Sequence, residues 1–387
     1  MNRTENKKPD SRARRAVKFT AIALASALAA YALILLCAFI AALVQTAEVA
    51  EEWQKWQTEH IAELEEAYES GTAPKIDEQS LSDFDLSAAE EIRLDDIRVV
   101  ATHNSYKQDI PSASAFLYGA IGMGGRYGYS LPTLTEQLNT GVRSFELDIY
   151  SSSSVQGGFA VMHNSLVDGG SSAASLYLAL SELKMWSDYN PKHVPVTVLI
   201  EPKTLGGMGY SALNSDDLLA LDEMLAELFG AKLYTPAQAL GGYSSFSELR
   251  ADNGYPFLSE MLGKFIFLLH DGSAAERYIA LDTTMRTQKM FYAIDLYNDS
   301  GHAPQAMFAI INGFSDERGR TAYERAVATH FIIRTMADEY GDFGEEKLAS
   351  VLQSEANIIS TDYPPGSFEE YGYEVTFGGG KTISRVS

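Results

Sequence analysis

The 387-residue chain has a single cysteine, Cys37, and only 30 lysines and arginines against 52 aspartates and glutamates. One cysteine excludes an internal disulfide and any zinc site built on several thiolates. The deficit of positive charge gives the long-range field the wrong sign for a nucleic-acid surface, so no nucleic-acid partner is expected. No GxxxxGKS/T sequence occurs, so Gly119, Gly122, Gly124, Gly125 and Gly128 read as a substrate lid or plain loop rather than a nucleotide phosphate loop.

The charge that is present is unevenly placed. Residues 1–18 hold seven of the basic and two of the acidic residues, leaving 23 basic and 50 acidic, near −27, for the rest. From Phe19 to Val44 runs a stretch of 26 residues without a charge, and a helical span needs about 20. Arg12, Arg14, Arg15 and Lys18 flank its amino side. This pattern predicts a cytoplasmic basic tail over 1–18, a single-pass transmembrane signal anchor over 19–44, and an extracellular body held at the cell membrane. The rival assignment is a cleaved signal peptide, whose apolar region is typically about 7–15 residues, and the length favours the anchor. Cys37 lies inside the span and reads as a lipid-facing side chain.

Residues 45–90 separate anchor from body. Val49, Trp53, Trp56, Ile61, Leu64 and Tyr68 recur at near-helical spacing among glutamates, an amphipathic helix over 47–69 that packs on the body, pairs with a second copy or serves as a stalk. Residues 70–90 are polar and read as a linker.

Beyond Asp96, short apolar runs alternate with helical stretches, the texture of parallel strands with crossover helices. Eight runs stand out, at 97–102, 142–149, 159–163, 196–201, 264–269, 307–312, 331–335 and 357–361. Helices are expected over Ala173–Trp186 and Ser215–Phe229, the second opened by Ser215, Asp216 and Asp217. Eight strands predict an α/β fold, an irregular TIM (β/α)8-type barrel over residues 91–387, with a turn in place of a helix between the second and third runs. Insertions at Lys107–Glu136 and Thr204–Gly263 should lie over or beside its mouth.

Four fragments at the carboxyl ends of these runs carry the chemistry: THNSY at 102–106, FELDIY at 145–150, VMH at 161–163 and LIEPK at 199–203. That rim is where barrel enzymes place catalysis. Alternation puts Glu146 and Asp148 on one face of the second run. Two acids about 7 Å apart in a barrel mouth are costly without a cation between them. Glu201 adds a third carboxylate and Asn104 an uncharged oxygen, an all-oxygen set suited to Ca²⁺ first and Mg²⁺ second. Alternatively, Lys203 or Arg334 neutralises the acids; both also suit a substrate phosphate or hydroxyl, and the two roles can coexist. His103 and His163 end the first and third runs, about 10 Å apart on strand spacing, a gap that fits a phosphodiester. His60, His193, His270, His302 and His330 lack such support, although His270 also ends a strand.

These fragments resemble the bacterial calcium-dependent, phosphatidylinositol-specific phospholipases C, a branch of the barrel-shaped phosphodiesterases. The likeness extends from about Ile97 to Pro365 and includes LTEQLNTGVRSFELDIY at 134–150, MWSDYNPKHVPVTVLIEPK at 185–203, LGKFIFLL at 262–269, IIRTMAD at 332–338 and IISTDYP at 358–364. The resemblance implies catalytic histidines at His103 and His163, calcium ligands at Asn104, Glu146, Asp148 and Glu201, and a membrane phospholipid as substrate. Pro202 stands where a leucine or isoleucine is more usual. Two rivals remain open: a glycerophosphodiester phosphodiesterase, which begins with His-Arg rather than His-Asn, and a catalytically silent calcium- or lipid-binding surface module.

Overall fold

Apolar runs such as Ile97–Thr102 and Ile332–Met336 are buried on both faces, as strands of a parallel sheet covered on both sides are. In the computed structural model, which describes residues 11–297 and 301–386, these runs pair as ten strands: β1 (Ile97–Thr102), β2 (Ser144–Ser151), β3 (Phe159–Val161), β4 (Val196–Pro202), β5 (Phe265–His270), β6 (Phe291–Asp295), β7 (Ala306–Ile310), β8 (Ile332–Met336), β9 (Ile358–Thr361) and β10 (Ile383–Arg385). The parallel barrel runs β1-β2-β4-β5-β6-β7-β8-β9 and closes where β9 pairs with β1. Only Ala101 and Ser144 are in register between β1 and β2. The barrel is therefore irregular at that seam, in addition to the turn expected between the second and third runs.

The eight expected runs are not the eight barrel strands. The third, 159–163, forms β3, which is antiparallel to β2 and outside the parallel ring. A parallel return needs a crossover of about a dozen residues or more, and the link 152–158 permits only a hairpin. Its place in the ring is taken by β6, a run that the expected set omits. β6 leads to β7 through a connection with no α-helix, only the 3₁₀ turn Ala303–Gln305 among its described residues. β10 is a further addition, antiparallel to β1 at the amino-terminal side of the sequence body.

The expected boundary between anchor and amphipathic helix is absent as a structural break. Ser11–Ser70 forms one 60-residue helix, α1, about 90 Å long at 1.5 Å per residue. Its apolar part is long enough to cross a membrane and almost wholly exposed. The first ten residues of the basic tail lie outside the described residues. Ala42, Thr46, Ala50, Gln57 and Ile61 are buried along one face, at the spacing of neighbouring helical turns. The side-chain amide of Gln57 accepts from Ser175 N at 2.7 Å and donates to Ser175 O at 3.2 Å.

The expected linker also does structural work. Within it, helix α2 (Glu78–Leu81) places Glu78 against Arg143, just before β2. Arg143 is fully buried; its Nε lies 2.9 Å from Glu78 Oε1 and its Nη1 donates to Leu138 O at 2.8 Å and Val142 O at 2.7 Å. Val194 N, which precedes β4, donates to the same Glu78 Oε1 at 2.9 Å. The pair thus closes the end of the barrel opposite the mouth.

Three further helices lie in the connections between β1 and β4. The β1–β2 connection contains α3 (Ser112–Ala120) and α4 (Leu134–Asn139), and α5 (Leu176–Tyr189) leads from the loop after β3 to β4. The helix expected over Ala173–Trp186 is thus set three residues later, because Ser175 caps it by accepting from Leu178 N. The helix Ser215–Phe229 has the expected ends, with Asn214 as its cap.

Candidate active site

Each candidate side chain reaches the mouth through a specific backbone feature. At the end of β1, His103 N donates to Thr361 O at 3.0 Å, tying it to the end of β9. Asn104 then takes a left-handed conformation, φ 45°, which asparagine tolerates better than most residues. On β2, alternation turns Glu146 and Asp148 inward from the same face. Asp148 and Glu201 are direct neighbours in the β2–β4 register. His163 arrives by a different route from the one expected: β2 overruns the rim, β3 folds back, and Met162 N donates to Asp148 O at 3.1 Å. The hairpin returns the histidine to the rim although its strand is antiparallel.

Glu146, Asp148 and Glu201 present oxygens that all lie within 4.8 Å of one another. Two cations stand against them. Lys203 Nζ is 2.6 Å from Asp148 Oδ2 and 2.7 Å from Glu201 Oε1, and Arg334 pairs with Glu146 while donating to Ser360 Oγ at 3.0 Å. The neutralising role left open for Lys203 and Arg334 is therefore visible in the geometry. Burial, then the charge of Glu201, pushes the Asp148 carboxyl up to about 6. Glu201 moves the other way: burial opposes its ionisation, but Lys203 outweighs it and holds the group at about 2. Lys203 itself is raised by Asp148 and Glu201 against the opposing effect of burial.

Each histidine is held by a carboxylate that the sequence reading did not single out. His103 Nδ1 lies 3.0 Å from Asp362 Oδ1. Burial opposes charging of the ring, but Asp362 and Glu146 outweigh it and push His103 up to about 9. His163 Nδ1 lies 2.9 Å from Asp168 Oδ2, and Asp168 Oδ1 is 2.9 Å from Lys107 Nζ, with Asp168 and Lys107 fully buried. The ring of Tyr127 stacks on His163 at 5.3 Å between centroids. Asp362 follows Thr361 at the end of β9 and carries the same strand-end signal as the candidates. Asp168, in a loop five residues after His163, has no such signal.

Asn104 sits beside the cluster through Tyr106, whose hydroxyl donates to Asn104 Oδ1 at 3.3 Å. The Tyr106 phenol is raised well above its ordinary value by burial and by Asp148. His270 ends β5 beside the end of β4 that carries Glu201, which places it at the rim. The remaining histidines are elsewhere: His60 pairs with Glu182 at 3.6 Å, and His193 is buried beside Ser187.

A cluster of three buried or half-buried carboxylates, with Asp148 Oδ1 lacking a hydrogen-bond partner, fits a hard divalent cation. The family model for "Phosphoinositide phospholipase C, Ca2+-dependent" matches residues 92–157 and 152–386. This chain belongs to that family. Calcium is accordingly its metal, and the acidic cluster is a site that could hold it. Among solved structures, the barrel of this family member is similar to a calcium-dependent phosphoinositol-specific phospholipase C from Pseudomonas sp. in complex with myoinositol, at 19 % identity over 77 % of this chain and 96 % of that one, TM-score 0.54. An apo form of the Pseudomonas enzyme matches at TM-score 0.53, with 19 % identity over 76 % of this chain and 96 % of that one. A Ca²⁺-dependent phosphatidylinositol-specific phospholipase C from Streptomyces antibioticus matches at TM-score 0.51, with 17 % identity over 76 % of this chain and 99 % of that one. No curated protein matches the chain.

Proposed function

We propose that this phospholipase C family member cleaves phosphatidylinositol, or a related inositol phospholipid, to diacylglycerol and a cyclic inositol phosphate. The observation that carries the reading is the presence at one rim of two carboxylate-held histidines, His103 on Asp362 and His163 on Asp168, beside the clustered oxygens of Glu146, Asp148 and Glu201. Asn104, Glu146, Asp148 and Glu201 are the proposed calcium ligands. The ion would supply positive charge to the substrate phosphate and lower the pKa of the inositol 2-hydroxyl.

The chain's own groups supply the rest. Asp362, 3.0 Å from its Nδ1, favours the charged form of His103, which suits it to stabilising the negative phosphoryl centre rather than taking a proton. A carboxylate of the cluster is then the base for the 2-hydroxyl. As that oxygen bonds to phosphorus, the bond to the diacylglycerol oxygen breaks, and His163 gives the departing oxygen a proton. Asp168 accepts the Nδ1 proton of His163, leaving Nε2 for the substrate. Lys203 and Arg334 remain the proposed contacts to substrate phosphate or hydroxyls.

The same proposal places residues 1–18 in the cytoplasm, 19–44 across the membrane and the barrel outside. Continuity of α1 through residue 44 supports an anchor over a cleaved signal, because the span and the helix docked on the barrel are one element.

Phosphorus NMR on phosphatidylinositol with and without calcium tests the reaction. The expected result is a calcium-requiring cyclic phosphate signal. Intact phosphatidylinositol under both conditions, with glycerol 3-phosphate released from deacylated lipid, would move the assignment to a glycerophosphodiesterase. Intact substrates throughout would favour the silent binding module.

A further inference from the structure

We propose that α1 holds the barrel with its mouth turned toward the membrane that α1 crosses, so that the substrate is lipid of that same membrane. This rests on the anchor and phospholipid readings above. The direction follows from α5, which starts at the rim after β3 and ends at the opposite face before β4. α1 meets α5 in the same order: Gln57 at Ser175, His60 at 3.6 Å from Glu182, and the Tyr68 ring at 5.0 Å from that of Tyr189. The two helices are therefore parallel, and the amino-terminal part of α1 lies at the mouth.

The contacts just upstream agree. Ala50 packs with Tyr150 and Met162, the residue before His163. A Cβ added to Gly169, next to Asp168, would lie 2.9 Å from Thr46 Cγ2, so the rim loop and α1 are in close contact. Gln45 Oε1 accepts from Ala113 N at 3.1 Å, in the first turn of α3. α3 is itself at the mouth, since Tyr118 packs at 4.4 Å on Tyr127, which stacks on His163. Beyond Ala42, the last buried position on this side, the helix continues without interruption, carrying residues 19–41 about 35 Å further at 1.5 Å per residue. No proline or glycine lies between Phe19 and Ser70 to kink it.

The rim is furnished for such a position. Phe116 and Ile121, after β1, are 48 % and 68 % exposed; Leu205 and Met208, after β4, are 85 % and 61 % exposed. A cleft of about 370 Å³ lies between residues 46–54 of α1 and the segment carrying Met208 and Tyr210, which puts that loop beside the exit of the span. Apolar side chains held at a lipid surface insert about 5–10 Å into the headgroup boundary.

The test uses the full chain with Cys37→Ala and one new cysteine at a time, Leu205→Cys, Phe116→Cys or Lys192→Cys, each carrying a bimane fluorophore. Lys192 lies between α5 and β4, at the end opposite the mouth. Each protein is reconstituted in phosphatidylcholine–phosphatidylinositol vesicles containing headgroup spin-labelled lipid. The expected result is loss of fluorescence at 205 and 116 and none at 192. Equal quenching at all three positions, or quenching at 192 alone, overturns the orientation. A second arm mixes proteoliposomes holding deuterated phosphatidylinositol with protein-free vesicles holding the ordinary lipid, and reads the products by mass. Deuterated product is expected, and equal amounts of both overturn the same-membrane inference. Absence of any product alongside quenching at 205 and 116 upholds the orientation and sinks only the proposed activity.

Discussion

The Nδ1 atom of His103 stands 3.0 Å from Oδ1 of Asp362, across the seam where β9 meets β1. The same carboxylate accepts from the Tyr129 hydroxyl at 3.1 Å and from Tyr340 N at 2.7 Å. Three separate parts of the chain thus converge on one side chain whose charge favours the protonated His103 ring. Asp362→Asn preserves the shape and removes that charge. His103 should then titrate well below about 9, followed by NMR of labelled histidine, and kcat at neutral pH should fall about 10²-fold. An unchanged histidine titration would show that Glu146 alone sets the charge.

His163 and Lys107 share Asp168, one at each oxygen. The histidine is 23 % exposed and the lysine is fully buried, so the two partners should respond differently to mutation. His163→Ala should cost at least about 10²-fold in turnover with little change in thermal midpoint or in the stabilisation given by calcium. Asp168→Asn should lose activity and stability together, because it leaves a buried lysine charge unpaired. Turnover and melting curves on both variants separate these roles; an Asp168→Asn protein as stable as the parent would show that the Lys107 pair holds nothing in place.

How much of this site could be read in advance depended on the kind of contact. Glu146, Asp148 and Glu201 followed from strand alternation and strand ends, both local properties of the chain, and the structure brings their oxygens together. The barrel was legible for the same reason, since doubly buried strands are apolar throughout. What escaped was set by distance or by length of connection. β3 resembles a barrel strand in composition, and only its short link to β2 makes it antiparallel. Glu78 is a polar residue in a polar stretch, and its partner Arg143 is 65 residues away. The continuity of α1 was hidden by the change from an apolar to a charged surface at residue 45, although helical propensity does not stop there.

Glu78 and Arg143 provide a test of stability far from the chemistry. Burial opposes ionisation of Glu78, but Arg143 outweighs it and holds the carboxyl below its ordinary range. Glu78→Ala leaves the fully buried guanidinium without its counter-ion and should destabilise the barrel by about 3–5 kcal/mol. Urea unfolding of the full chain in detergent measures it. If the loss is under about 1 kcal/mol, the value expected of an exposed pair, the closing role of α2 fails.

His193 should make stability depend on pH in a defined window. It is buried next to β4, its Nδ1 donates to Val194 O at 2.6 Å, and its Nε2 lies 2.7 Å from Ser187 Oγ, which also receives the Lys232 ammonium at 2.8 Å. Burial, reinforced by the charge of Arg143, drives the imidazole down to about 4 from its ordinary 6.5. The folded protein therefore binds fewer protons here than the unfolded chain does. The stabilisation is complete above about pH 6.5, declines as the unfolded histidine charges, and is lost by about pH 4, a total of about 3 kcal/mol. His193→Gln removes the titration while keeping a hydrogen-bonding side chain, so its urea midpoint should change less with pH between 6.5 and 4 than that of the parent. Parallel pH profiles for the two proteins would mean that the acid sensitivity in this window comes from other groups.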